Sequence, residues 1–355
     1  MHDQVSAFSP LRYPFFRRVW LASLASNFGS LIQSVGAAWL MLELSGKADM
    51  VALVQTSVAL PVVLFSLLGG AIADSFDRRR VLLLAQASML IASVALALCA
   101  WLGVLTPWLL LLFTFLVGSG GAFNAPAWQA SVQDLVPRAQ VPSAVALNSV
   151  GFNLARSTGP ALGGAIVASA GAAVAFVVNA LSYVGLIAVL WRWRPQVEPR
   201  LLPPERLSSA MAAGLRYVLL SPAIRTVLLR AAVFGLGASA ALALLPLVAA
   251  QRLGGGALVY GLLLGAFGVG AVLAALGSAR LRQQMSTEAL VASASVGSAL
   301  AMLILALSGH FSLSALAMLM AGAGWVLALS TFNVTVQLSA PRWVAARTLA
   351  LYQMA

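Results

Sequence analysis

The sequence predicts an all-α protein embedded in a membrane. Hydrophobic residues make up 61% of the 355 residues and charged residues only 8%, where a soluble domain carries about 25% charged residues. The mean hydropathy is +0.96. The apolar residues fall into ten runs, and each run reaches the roughly 20 residues that a helix needs to cross a bilayer. A soluble fold is therefore excluded.

The ten predicted spans follow one another with short polar segments between most of them. The first run is too long for the core of a signal peptide, so we expect it to be a retained span. An eleventh span begins near Trp343 and is cut off at Ala355. The spans are predicted at 19–42, 51–73, 81–102, 107–133, 143–167, 172–191, 228–249, 257–279, 289–308 and 311–336.

The longest polar segment, at 192–227, divides six spans from the rest. We therefore expect an N-terminal six-helix half at 1–191, a cytoplasmic linker at 192–227 and an incomplete C-terminal half at 228–355. The dipeptides Phe123-Asn124 and Phe332-Asn333 occupy equivalent places in the two halves, which favours a repeat.

The positive charge is distributed unevenly about the predicted spans. The net charge of +12 is compatible with nucleic-acid binding, but the arginines fall in the loops. Nearly all of the 21 basic residues lie in segments on one side, whereas Lys47 and Arg252 lie on the other and Arg156 lies within a span. Cytoplasmic loops carry such an excess. We expect a cytoplasmic N-terminus, the lipid bilayer as partner and no nucleic acid.

The loop at 70–80 carries two acids and three arginines between two uncharged spans. An acid at a helix C-terminus is disfavoured by roughly 0.3–1 kcal/mol, so Asp74 is expected to find a cation or the N-terminus of another helix. The loop resembles the signature between helices two and three of the major facilitator superfamily. Matches to that pattern are Gly70, Asp74, Arg78 and Arg79, whereas Ser75 and Asp77 depart from it. The resemblance implies a cytoplasmic gate in which Asp74 meets Arg78 or the segment 342–348.

The fifth span contains a Gly-Pro-x-x-Gly-Gly sequence formed by Gly159, Pro160, Gly163 and Gly164. Glycines allow close contact between helices, and a proline frees a carbonyl and bends its helix. Helix packing alone explains the glycines. The sequence also resembles the fifth-span motif of major facilitator antiporters, which implies that the bend holds the two halves together and limits leak.

Arg156 lies near the middle of the fifth span, where a charge costs at least about 2.5–3.5 kcal/mol. Its guanidinium must face a water-filled cavity, backbone carbonyls or the carboxylate of Asp134. A structural lock onto carbonyls of the fourth span is the alternative to a role in transport. We favour the cavity, because charges inside a membrane usually mark a pathway.

Polar side chains recur along one face of several spans. Any one of them is explained by hydrogen bonding between helices, worth about 0.6–2 kcal/mol. Together they favour a cavity, and the resemblance implies that spans 1, 4 and 10 line it. The predicted substrate-cavity residues are Asn27, Gln33, Asn124, Trp128, Asn153, Arg156, Trp325 and Asn333.

Several kinds of site are missing from the sequence. There is no phosphate-binding Gly-x-x-x-x-Gly-Lys-Ser/Thr loop, so an ATP-driven pump is excluded within this chain. His2 and His310 are terminal or in a loop, so no metal and no cofactor is expected. The sequence also shows no constellation of acidic and basic side chains that would support an enzyme. The carboxylates nearest to the spans are Asp134 and Glu43, both at span ends.

The chain most resembles the exporter group of the superfamily that includes the enterobactin exporter, a transmembrane secretion effector type. The resemblance rests on segments 74–80, 124–129, 156–164 and 179–183. It implies a monomeric major facilitator fold in a bacterial inner membrane. The implied function is proton-coupled export of a small amphipathic molecule, a drug or a siderophore, by alternating access. The alternative is a fragment that lacks spans 11 and 12 and transports nothing.

Overall fold

A computed structural model gives the fold of the chain. The structure describes residues 9–137, 140–194 and 216–339, apart from a few side chains within the helices, among them those of Asp74 and Gln337. Over these ranges the long elements are all helices, as the fold class predicted. The start of an eleventh span, near Trp343, lies outside the described residues.

Ten long helices occupy the described ranges, one for each predicted span. Eight of them qualify as membrane spans by length and hydropathy. The other two, the first and the fifth, contain the polar stripes noted in the sequence. The helices are α1 (Pro14–Ser45), α2 (Ala48–Ser75), α3 (Arg78–Trp101), α4 (Pro107–Ser131), α5 (Val141–Ala170), α6 (Ala172–Trp191), α7 (Pro222–Leu247), α8 (Ala257–Gln284), α9 (Thr287–Leu307) and α10 (Phe311–Ser339).

Local sequence explains where the helices begin and end. Helices α1, α4, α5 and α7 carry proline in the first two positions, where a missing N–H costs nothing. Asp77 caps α3, its carboxylate accepting a hydrogen bond from the backbone N–H of Arg79 at 2.9 Å. Thr106 and Ser286 cap α4 and α9 in the same way. After α1, Gly46 takes a left-handed conformation with φ 62°, which glycine adopts without strain.

The helices form two compact units. The first is Met1–Arg200 with Gly256–Gly261, and the second is Leu201–Gly255 with Leu262–Ala355. In the first unit, α1 packs on α5 and α6, α2 packs on α4, and α3 packs on α4 and α6. A β-carbon on Gly69 of α2 would lie 2.7 Å from the carbonyl oxygen of Ala122 on α4. Small residues therefore set the distance between these helices, as is usual where lipid replaces water.

In the second unit, α9 packs along α10 and α10 packs against α7. Helices α8 and α10 meet backbone to backbone. A β-carbon on Gly270 would clash with the carbonyl oxygen of Leu319, and one on Gly322 would clash with that of Phe267. The contact exists because both positions are glycine.

Candidate substrate cavity

A cavity of about 700 Å³ lies between α1, α4 and α5 of the first unit. Its size falls within the range of roughly 300–1,000 Å³ that small-molecule sites occupy. The lining mixes amide and aromatic side chains, and none of the described lining residues carries a charge. They are Trp20, Ser23, Leu24, Asn27, Asn124, Ala125, Trp128, Gln129, Val132, Val145, Asn148, Ser149, Gly151, Phe152 and Asn153.

Asn124 is held in place from outside the cavity. Its Oδ1 accepts a hydrogen bond of 3.0 Å from Nε2 of Gln86, a residue of α3 that is 1% exposed. The bond fixes the orientation of the Asn124 amide and leaves its nitrogen as a donor for a ligand. Trp128 follows one helical turn later on the same face of α4. The neighbouring helix α3 thus orients Asn124 towards the cavity.

Asn153 supplies the complementary group on α5. Its Nδ2 donates to the backbone carbonyl of Ser149, one turn earlier, at 2.9 Å. The Oδ1 of Asn153 is therefore the group that can accept a hydrogen bond from a ligand. With Asn124, the cavity offers a fixed donor and a fixed acceptor without any charge.

Trp20 closes one edge of the cavity between α1 and α5. Its indole N–H donates to the backbone carbonyl of Leu147 at 3.1 Å. A β-carbon on Gly151 would lie 3.5 Å from that indole, in ordinary contact. The ring therefore lies beside the backbone of α5 at Gly151. Trp128 and Phe152 complete the aromatic part of the lining.

Gln33, a predicted cavity residue, lies in a buried polar network among α1, α3 and α6. It is 4% exposed, and its Oε1 accepts from Ser93 at 2.9 Å and from Nδ2 of Asn179 at 2.8 Å. The same nitrogen of Asn179 donates to the hydroxyl of Tyr183 at 3.1 Å. The network thus joins three helices through satisfied hydrogen bonds, as buried polar groups in a membrane require.

Arg156 lies one helical turn after Asn153 and is half-buried. The described lining of the cavity ends at Asn153 and does not include it. Asp134, one of the three partners expected for Arg156, forms an ion pair of 3.0 Å with Arg78. The role of Arg156 therefore stays a prediction.

The two matched arginines of the loop at 70–80 each bind the end of another helix. Arg78 donates to the carbonyl of Ala130 and to Asp134, both at 3.0 Å, at the end of α4. Arg79 donates through Nε to the carbonyl of Leu190 at 3.1 Å and also to the carbonyl of Trp191, at the end of α6. These carbonyls lie in the last turns of α4 and α6, and a cation is favourable at a helix C-terminus.

Gly70 lies in the last turns of α2 with open space where a β-carbon would be. Asp74 also belongs to α2, but its side chain and the segment 342–348 lie outside the described residues. The expected contact of Asp74 with Arg78 or with that segment is therefore untested. Asp77, which departs from the superfamily pattern, caps α3 in this structure.

The bend sequence of α5 lies against neighbouring backbone. A β-carbon on Gly163 would lie 3.0 Å from Cα of Ile32 on α1, and one on Gly159 would lie 3.1 Å from Cβ of Leu31. Pro160 is buried inside α5. Gly164 faces the carbonyl oxygen of Ala257, part of the short segment that belongs to the first unit. The glycines therefore provide close packing, the simpler of the two explanations given for them.

Comparison with known protein families gives a match to the transmembrane secretion effector family over residues 5–355. The chain belongs to this family. Its relatives and its fold are those of major facilitator transporters, which are not enzymes.

Curated relatives of this chain include two transporters named for their cargo and a multidrug efflux pump. The staphyloferrin A transporter of Staphylococcus aureus is 30% identical over 163 residues, 46% of this chain and 41% of the relative. The multidrug efflux pump Tap of Mycobacterium tuberculosis is 26% identical over 212 residues, 56% of this chain and 50% of the relative. The enterobactin exporter EntS of Citrobacter koseri is 28% identical over 324 residues, 90% of this chain and 76% of the relative. The match therefore spans about half the length, or less, of the first two relatives.

Solved structures show the same fold at low identity. A bacterial homologue of the lysosomal transporter Spinster, in an inward-facing conformation, has a TM-score of 0.68 at 18% identity, over 97% of this chain and 80% of that one. The nucleoside transporter NupG has a TM-score of 0.71 at 12% identity, over 96% of this chain and 86% of that one. The major facilitator fold predicted from the sequence is confirmed.

The structure brings four of the predicted cavity residues together, namely Asn27, Asn124, Trp128 and Asn153. Trp325 and Asn333 belong to α10 in the second unit. There Trp325 lies in an aromatic cluster, its ring 6.3 Å from those of Phe234 and Phe267.

Among the residues of the site and its support that sequence reasoning missed are Gln86, Asn148 and Trp20. Gln86 lies in a span that is otherwise largely apolar. A single side-chain amide in such a run indicates a polar partner on another helix, since burial of an amide without a partner is costly. Asn148 immediately precedes the polar stripe of the fifth span. Trp20 could not be found from sequence, because its role depends on the carbonyl it meets across the α1–α5 contact.

Proposed function

We propose that this transporter exports a small amphipathic molecule, and that the cavity between α1, α4 and α5 forms its share of the substrate site. The observation that carries the proposal is the composition of the lining, in which uncharged amides alternate with Trp20, Trp128 and Phe152. Aromatic rings contribute most of the contact area to a ligand, and a few fixed polar groups set its orientation.

The chemistry of the lining favours a ligand with an aromatic or flat apolar part and neutral hydrogen-bonding groups. Asn124 can donate a hydrogen bond, and Asn153 can accept one. A ligand that satisfies both groups would be oriented, whereas an alkane would leave them unpaired. Drugs and siderophores, the cargoes in the names of the relatives, include molecules of this kind.

The direction, energy source and setting of transport are part of the same proposal. Export follows from the efflux pump and exporter among the relatives. The proposal takes alternating access driven by protons from the resemblance to the superfamily, with Asp134 and Glu43 as candidate carboxylates. We propose a monomer in the bacterial inner membrane with a cytoplasmic N-terminus, since cytoplasmic loops carry the excess of arginine and lysine.

The gate and the intramembrane charge complete the proposal. Gly70, Asp74, Arg78 and Arg79 would close the cytoplasmic side, with the two arginines anchored on the ends of α4 and α6. Arg156 would extend the polar path beyond Asn153, since a charge inside a membrane usually faces a cavity.

Transport into inverted membrane vesicles tests the proposal, with a panel of fluorescent drugs and iron-free siderophores. We expect Trp128→Ala to raise the half-saturating concentration about tenfold, since loss of one buried aromatic contact costs about 1.4 kcal/mol. The matched control is Trp108→Ala, because Trp108 lies on the same helix and is 66% exposed. Equal transport by the two variants would contradict the proposed site. Uptake that is insensitive to a proton ionophore would contradict the proposed coupling to protons.

A further inference from the structure

Five exposed arginines lie where α1 begins and α6 ends, at one end of the first unit. Three of them come from the start of the chain and two follow α6, and together we call them the arginine patch. The rings of Phe15 and Trp193 stack with their centroids 6.5 Å apart, so the two groups lie side by side. The patch consists of Arg12, Arg17, Arg18, Arg192 and Arg194.

The patch rests on a packed apolar cluster. Phe16, Leu82, Leu190 and Trp193 are all at most 4% exposed and belong to one core at this end of the unit. Arg79 ties the end of α6 to the start of α3 through the carbonyl of Leu190. The helix ends that carry the arginines on α1 and after α6 are therefore packed on one core.

The positive charge of the patch is not neutralised by the described part of the protein. Over residues 9–137, 140–194 and 216–339, none of its five arginines forms an ion pair. The nearby carboxylates of Asp77 and Asp134 already face Arg80 and Arg78. Moreover, Arg17 and Arg18 lie in the first turns of α1, where cations disfavour the helix. Their presence is not explained by the stability of the fold.

We infer that the arginine patch binds the headgroup of an anionic phospholipid with two phosphates, of the cardiolipin class. A guanidinium binds a phosphate through two parallel hydrogen bonds. The patch has arginines on each side of the Phe15–Trp193 contact, so each side can take one phosphate. Basic pockets between membrane helices are a known type of site for such lipids.

The surface beside the patch selects a lipid over a free anion. Leu21, one turn after Arg17, is 52% exposed, and Trp191 at the end of α6 is 69% exposed. An exposed tryptophan at a helix end is typical of the membrane–water interface. The acyl chains of a bound lipid would cover this apolar surface while its phosphates met the arginines. The lipid would then bridge α6 and α1, the helix that contributes Asn27 to the cavity.

The test is native mass spectrometry of the full chain in detergent, titrated with cardiolipin, phosphatidylglycerol and phosphatidylethanolamine. We expect cardiolipin to bind about 10–100 times more tightly than phosphatidylethanolamine. Substitution of Arg17, Arg18, Arg192 and Arg194 by glutamine should abolish that preference. Substitution of the same four by lysine keeps the charge but loses the paired hydrogen bonds, so an intermediate preference is expected.

A matched control removes the same number of charges elsewhere. Arg216, Arg225, Arg252 and Arg280 are exposed in the second unit, and their joint substitution by glutamine should leave the preference intact. If the glutamine variant of the patch fails to insert into the membrane, the test uses the lysine variant and the double variant Arg192→Gln with Arg194→Gln. The proposal would be overturned if the control variant lost the preference for cardiolipin to the same extent, or if the native chain showed no such preference. It would also be overturned if inorganic phosphate stabilised the chain against heat as much as cardiolipin does.

Discussion

The buried amide of Asn179 gives the sharpest test of how the first unit is held together. Asn179 is fully buried and makes three side-chain hydrogen bonds, of 2.8 Å to Gln33, 3.1 Å to Tyr183 and 3.2 Å from Ser182. Substitution by alanine removes all three bonds, of which the one to Gln33 joins α6 to α1 and the other two lie within α6.

The expected loss follows from the bonds that remain. Without the Asn179 amide, Gln33 still accepts from Ser93 at 2.9 Å, and Ser182 still donates to the backbone carbonyl of residue 179 at 2.7 Å. Tyr183 keeps its contact of 3.4 Å with Ser30. Each former partner of Asn179 thus keeps another hydrogen-bonding contact. Each lost bond should therefore cost about 0.6 kcal/mol, the average measured for side-chain hydrogen bonds within membranes. We therefore expect Asn179→Ala to lower the free energy of unfolding by about 2 kcal/mol.

The measurement is unfolding in mixed micelles by titration with dodecyl sulfate, followed by tryptophan fluorescence. Asn153→Ala is the matched control, because the Asn153 side chain bonds only its own helix and is exposed. The control should change the free energy of unfolding by less than about 0.5 kcal/mol. Equal losses in the two variants, or a loss in Asn179→Ala below about 0.5 kcal/mol, would refute the argument that the network stabilises the helix contact.

Three further substitutions test single contacts. Asp77→Ala removes the cap of α3 and should lower the free energy of unfolding by about 1 kcal/mol in the same titration. Gly270→Ala should reduce the yield of folded protein strongly, because the added methyl meets the carbonyl oxygen of Leu319; Gly277→Ala, with open space around it, should not. Arg79→Gln should speed hydrogen exchange at the end of α6, and unchanged exchange there would show that its carbonyls are satisfied without the guanidinium.

The sequence predicted the candidate site in part. Asn27, Asn124, Trp128 and Asn153 follow helical spacing within their spans, and the structure places all four around one cavity. Their residue types and spacing were enough, because polar groups on one face of a membrane helix must meet water, a ligand or a partner. Gln33 belongs to the same helix as Asn27, yet its side chain meets Ser93 and Asn179 instead. The spacing alone could not show which neighbour that face meets.

The sequence by itself determined the helices, their order and the membrane setting. Backbone polar groups cannot remain unpaired in hydrocarbon, so each long apolar run has to form a helix. The tertiary structure decided which side chains meet, for example Gln86 with Asn124 and Arg79 with the end of α6. The physical reason is that helical periodicity assigns residues to a face, whereas the close contacts of small residues such as Gly69 and Gly163 decide which helix lies against it.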